Sequence, residues 1–159
     1  MVIFILFTLI LLYFLVSISL EDIKTLLISE NKLIIYALNG LLYLICLGLS
    51  NKKINSLEAI ISNSFSVLII FIIMYLIKYI SCKLFKTNSL GLGDIKLSSY
   101  TSIWLGFELT FISICISFLL SALYSLNGKI TKRLKPFYQY PFAPFLSIGI
   151  FSTWLSDKF

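Results

Sequence analysis

The chain has 159 residues, of which 59% are hydrophobic and only 13% charged, with a formal net charge of +6. A soluble domain carries about a quarter charged residues, so a water-soluble globule is excluded and a single membrane-embedded domain over residues 1–159 is expected. The bases stand beside apolar stretches, which makes them markers of membrane orientation rather than a nucleic-acid surface.

The first predicted helix covers residues 2–20. No charge occurs from Met1 to Leu20, and about 20 such residues cross the ~30 Å hydrocarbon core of a bilayer. A removable signal peptide would need a basic start, a shorter apolar run and a small-residue cleavage site, and none is present. Helix 2 is expected over 33–50, ending at the polar turn Ser50-Asn51-Lys52-Lys53, and helix 3 over 57–80. A polar, glycine-containing loop then runs from Ser81 to Asp94. Helix 4, residues 95–107, is short and carries Ser98, Ser99, Thr101 and Ser102. Helix 5 is expected over 108–126 and helix 6 over 141–156.

Charge decides whether helix 4 counts as a span. With six spans and both termini outside, the cytoplasmic side receives Lys24, Lys32, Lys78, Lys83, Lys86, Lys96, Lys129, Lys132, Arg133 and Lys135. The outer side receives Lys52, Lys53 and Lys158. If helix 4 does not span, the bias falls to seven against six. The positive-inside rule therefore favours an all-α polytopic protein of about six transmembrane helices. A span as polar as helix 4 must be shielded from lipid by its neighbours.

Smaller features follow. Ser113, Ser117, Ser121 and Ser125 recur every four residues on one face of helix 5, which suits close helix packing, with a polar channel wall as the alternative. Asn39 is expected to form a hydrogen bond between helices. Cys46, Cys82 and Cys115 are widely separated and read as small side chains packed between helices. The sequence contains no histidine, which removes a histidine-dependent serine or cysteine triad and the commonest metal ligand. No metal or other cofactor is expected.

Two of the seven acidic residues stand out. Asp22 is expected just after helix 1 and Asp94 just before helix 4, following Gly91-Leu92-Gly93. In the six-span arrangement both reach the cytoplasmic membrane edge. Facing carboxylates share one proton, so one serves as general base on a water and the other as general acid. The two glycines would allow backbone angles closed to other residues and close approach of a substrate. A plain inter-helix turn with Asp94 as N-cap is the alternative.

The segment Gly91-Leu92-Gly93-Asp94-Ile95-Lys96-Leu97 closely resembles the GxGD-x-K-L segment of the type IV prepilin peptidase family. Asp22-Ile23-Lys24-Thr25-Leu26-Leu27-Ile28 is similar to that family's first-aspartate segment, and Thr25 and Asn31 fit its pattern too. Pro141-Phe142-Ala143-Pro144-Phe145-Leu146 resembles its late Pro-Phe-Gly-Pro-Phe-Leu segment. Two departures stand: Ser29 where the family usually has proline, and Ala143 where it usually has glycine. The chain begins directly with helix 1, so the resemblance is to the short form lacking the cysteine-rich methyltransferase region.

The resemblance implies a membrane aspartic endopeptidase that removes the short basic leader of a prepilin or pseudopilin after a glycine. Asp22 and Asp94 would be catalytic. Gly91 and Gly93 would shape the Asp94 loop, Lys96 would orient or charge-balance the site, and Pro141, Phe142 and Pro144 would shape a substrate groove or start helix 6. The basic run Lys129 to Lys135 would fix topology and meet anionic lipid head groups. One rival is a presenilin-type protease, whose first aspartate lies within a membrane helix. The other is a non-catalytic membrane protein, for which Ser29 and Ala143 are the only hints.

Overall fold

A computed structural model describes residues 2–50, 56–85, 90–131 and 140–157, and every element among them is an α-helix. They are α1 (Val2–Thr25), α2 (Glu30–Ser50), α3 (Ser56–Phe85), α4 (Leu92–Ile130) and α5 (Ala143–Ser156). The first four are long and apolar enough to cross a membrane. The chain is a multi-pass membrane protein. Lys52, Lys53, Lys86, Lys132, Arg133, Lys135 and Lys158, on which much of the charge asymmetry rests, lie outside the described residues.

Several boundaries differ from expectation. α1 continues one turn past Leu20 to Thr25, so Asp22 lies inside its last turn rather than after it. There Leu26 takes a left-handed φ of 54° and its N–H bonds the Asp22 carbonyl at 2.9 Å, a helix stop that glycine usually provides. Glu30 rather than Leu33 opens α2, and α3 runs on to Phe85.

The expected helices 4 and 5 form one 39-residue element, interrupted only at Gly106 with φ 75° and ψ −177°. That conformation is essentially restricted to glycine. Thirty-nine residues would extend about 58 Å at 1.5 Å each, far more than one ~30 Å crossing, and the break divides α4 into residues 92–105 and 107–130. Asn63 of α3 braces the break by donating to the Ile103 carbonyl at 3.0 Å.

α4 is the centre of the bundle: α2, α3 and α5 all pack on it, while α1 packs on α2 and α5. Its first segment is shielded as expected, with Ser98, Ser99, Thr101 and Ser102 all buried. Ser98, Ser99 and Thr101 donate to carbonyls three or four residues back in their own helix. The outer faces of α1 and α3 expose Leu6, Leu9, Tyr13, Ile61, Phe65 and Leu68, an apolar surface that suits lipid and not water.

In lipid, helices associate through close packing and hydrogen bonds rather than by leaving water. Two glycines provide the closest approaches. A Cβ on Gly40 would stand 2.7 Å from the Trp104 indole nitrogen, and one on Gly149 would stand 2.4 Å from both the Ser113 carbonyl oxygen and Ser117 Oγ. The serine stripe of α4 is thus a packing face for α5, with Ser113, Ser117 and Ser121 buried. Asn39, half-buried, donates to the Ile35 carbonyl of its own helix and to no other group among the described residues, contrary to expectation. Its four-residue offset lets it close a local bond without a partner helix. Cys115 is exposed rather than packed, while Cys46 and Cys82 are half-buried.

Candidate functional site

The ends of α1, α2, α4 and α5 carry the residues that the sequence singles out. Asp22 is 5% exposed and Asp94 is 8% exposed, though they stand more than seventy residues apart in sequence. They lie close enough for the charge of Asp22 to act on Asp94. Carboxylates are almost never buried this fully without partners, so the partners define the site.

Asp22 meets the start of α5. The Ala143 N–H donates to Asp22 Oδ2 at 2.9 Å, and the Phe142 amide lies beside the same carboxylate. The local sequence explains why these amides are available. The first N–H groups of any helix lack partners within it. Phe142 is the N-cap, Ala143 is the first helical residue and Pro144, the second, has no N–H to satisfy. Phe145 and Leu146 both bond the Phe142 carbonyl at 3.1 Å. What remains are free amides at the positive end of a helix, and Asp22 accepts from that of Ala143. Pro141 lies before the N-cap rather than in the first turn as expected. Phe142 is buried with its ring 5.2 Å from that of Phe118.

Asp94 occupies the third helical position of α4, not the turn before it, and Gly91 rather than Asp94 is the N-cap. The Asp94 side chain folds back toward Gly91, with Oδ2 3.0 Å from where a Cβ there would stand, the place that the acidic residue of a capping box takes. Its other oxygen, Oδ1, is buried with no hydrogen-bond partner among the described residues. A buried polar atom left this way costs about 1–3 kcal/mol, and such a cost tends to mark sites held ready for a reaction or ligand.

The glycines act through space and not through unusual backbone angles. Gly91 has φ −68°, which any residue adopts, and Gly106 is the only glycine with positive φ among the described residues. A Cβ at Gly91 would lie 3.0 Å from Asp94 Oδ2. A Cβ at Gly93 would lie 3.0–3.2 Å from three atoms of Ile28. Gly91 therefore gives the Asp94 carboxylate room to fold back, and Gly93 lets the α1–α2 turn sit against the start of α4.

Lys96 does not touch either aspartate. It is paired with Glu30 of α2. Ser29 donates its hydroxyl to Glu21 Oε2 at 3.2 Å, and Lys32 reaches the same oxygen at 3.1 Å. Ala143 is fully buried in helical conformation, so nothing in its backbone demands glycine. Both departures from the family pattern are accommodated without disturbing the aspartates. Glu21, Glu30 and Lys32 were not singled out as site residues from sequence. In sequence their charges look like ordinary membrane-edge residues, and the Glu21-Asp22 doublet suggests only a water-facing edge.

Compared with known proteins, residues 9–126 match the type IV leader peptidase family. Neither the curated proteins nor the solved structures provide a match.

Proposed function

The chain belongs to the type IV leader peptidase family, and from that premise we propose that it is a membrane aspartic endopeptidase using Asp22 and Asp94. In this reading it removes the basic leader of a prepilin-like protein where the leader meets the apolar helix, at the cytoplasmic edge of a six-span bundle. The observation that carries the proposal is the convergence of two buried carboxylates from distant segments, one of them with an unpartnered oxygen.

The chemistry follows from the pair. One carboxylate takes a proton from water while the water oxygen bonds the scissile carbonyl carbon, and the other carboxyl gives its proton to the carbonyl oxygen. The C–N bond of the resulting gem-diol then breaks as the first carboxyl passes its proton to the leaving nitrogen and a diol hydroxyl returns a proton to the other carboxylate, which restores the pair. The products are a carboxyl-terminated leader and a mature chain with a new amino terminus. The Ala143 amide orients Asp22, and Asp94 folds back beside Gly91. The pair titrates as a unit.

The six-span topology needs the break at Gly106, which makes two segments of α4, and a bilayer thinned where the two shortest segments cross. Residues 92–105 and α5 are each too short to cross a full ~30 Å core on their own as straight helices. Both are sheltered inside the bundle, so a locally thinned or water-accessible edge is the natural place for the aspartates.

The test is leader removal. Purified protein in detergent or liposomes is mixed with a pilin-like substrate bearing a basic leader, a glycine and an apolar helix, and the products are read by mass spectrometry. A single cut after the glycine is the expected result. Intact substrate in the presence of well-folded protein would favour a non-catalytic family member.

A further inference from the structure

Two ion pairs meet on the first turn of α2, and they lead to the two aspartates. Glu21, the residue before Asp22 on α1, holds Lys32 of α2 at 3.1 Å. Glu30, two residues before Lys32, holds Lys96 of α4, two residues beyond Asp94. Ser29, at the turn into α2, adds a hydroxyl bond to Glu21 at 3.2 Å. Thr25 secures the same corner by donating to the Glu21 carbonyl at 2.9 Å.

We infer that the first turn of α2 is an electrostatic brace, and that Glu21, Lys32, Glu30 and Lys96 are positioning residues that set the separation of Asp22 and Asp94. The path is continuous: α1 to Lys32 through Glu21, then two residues back along the start of α2 to Glu30, then α4 through Lys96. Ile28 presses against Gly93 within the same loop, so a shift of the α1–α2 turn reaches the residue next to Asp94. No other described ion pair ties the α1 end or the α4 start to a neighbouring helix.

Such a brace needs little energy to matter. Exposed ion pairs contribute modestly to stability, but an error of about 1 Å in a reacting group costs on the order of a hundredfold in rate. Partial exposure of the four side chains makes the device sensitive to salt, because the Debye length shrinks from about 10 Å at 0.1 M to about 3 Å at 1 M. The catalytic consequence rests on the aspartic peptidase reading, whereas the positional one does not.

The experiment measures position first. Nitroxides are placed at Ile23 and Leu92, both exposed, in the full chain with Cys46, Cys82 and Cys115 changed to alanine. Pulsed electron resonance then gives the distance distribution between the α1 end and the α4 start. The brace predicts a narrow distribution that broadens or shifts in Glu21→Gln and in Lys96→Gln. It predicts recovery in the swapped pairs Glu21→Lys with Lys32→Glu, and Glu30→Lys with Lys96→Glu. Raising salt toward 1 M should act like the single variants. Distributions in both single variants that match the parent would overturn the inference, as would swaps no better than the singles. In the leader-removal assay the single variants should lose about tenfold to a hundredfold in kcat with KM within about twofold. Parent protein that never cleaves would count against the peptidase reading while the distance measurement still decides the brace.

Discussion

Gly91 and Gly93 flank Leu92 in ordinary backbone geometry, and what each supplies is an empty place where a Cβ would stand. Gly91→Ala would put a methyl 3.0 Å from Asp94 Oδ2 and push the carboxylate away from Gly91. The expected result is a loss of about tenfold to a hundredfold in kcat, with membrane expression and thermal unfolding close to wild type. The measurement is leader cleavage alongside a melting curve in detergent. At this scale the sequence was partly legible. The Gly-x-Gly-Asp spacing and Asp22 single out residues that the fold brings near one another, but the glycines serve packing rather than unusual backbone angles, because sequence displays backbone freedom and hides packing distance. Asn39 and Asn63 make the same point. Both are single amides in apolar helices, yet only Asn63 lies opposite a carbonyl freed by a broken helix.

At the scale of elements, α4 and α5 do the positioning. The hydropathy pattern located the boundary near 107 because glycine and a charged residue, Gly106 and Glu108, follow an apolar run. It could not say that one residue in an extended, glycine-only conformation makes the whole break. The start of α5 was legible as a proline-flanked helix start. That its Ala143 amide serves Asp22 was not legible, since the contact joins residues 121 apart in sequence. The serine stripe was read correctly as a packing face, and its partner is Gly149. Gly149→Ala would drive a methyl to 2.4 Å from a backbone oxygen of α4, which cannot turn away as a side chain can. Overpacking of this kind costs about 1–3 kcal/mol, and detergent melting should register it as a lowered Tm. Because α5 carries the amide that holds Asp22, cleavage should fall as well. An alanine variant that melts like wild type would mean α5 is free to slide away from α4.

At the scale of the molecule, the class of the protein was plain in composition alone. Apolar side chains point outward from α1 and α3 while hydroxyls and the Asp94 carboxylate face inward along α4, the arrangement a lipid solvent selects. The number of crossings is a separate matter, since it depends on how residues 92–105 and α5 meet the bilayer. Six crossings place the C-terminus outside, and a topology reporter fused after Phe159 should be active only if it works outside the cytoplasm. A cytoplasmic signal from that fusion would contradict the six-span arrangement while leaving the aspartate geometry as it is. The pairing of Asp22 with Asp94 brings together chain ends of three helices, which is why a whole-molecule argument returns to two side chains.

The most direct measurement is therefore a cycle on those two residues. Asp22→Asn, Asp94→Asn and the double variant are compared with wild type in single-turnover cleavage of a prepilin-like substrate, each variant first shown to melt cooperatively in detergent. Asparagine keeps size and hydrogen-bonding capacity but cannot exchange the proton. The account predicts that each single change lowers the rate by at least about 10²–10⁴-fold, and that the double change is scarcely worse than either, because the residues act as a unit. Cleavage at near wild-type rate in either single variant would contradict the claim that Asp22 and Asp94 are one catalytic pair.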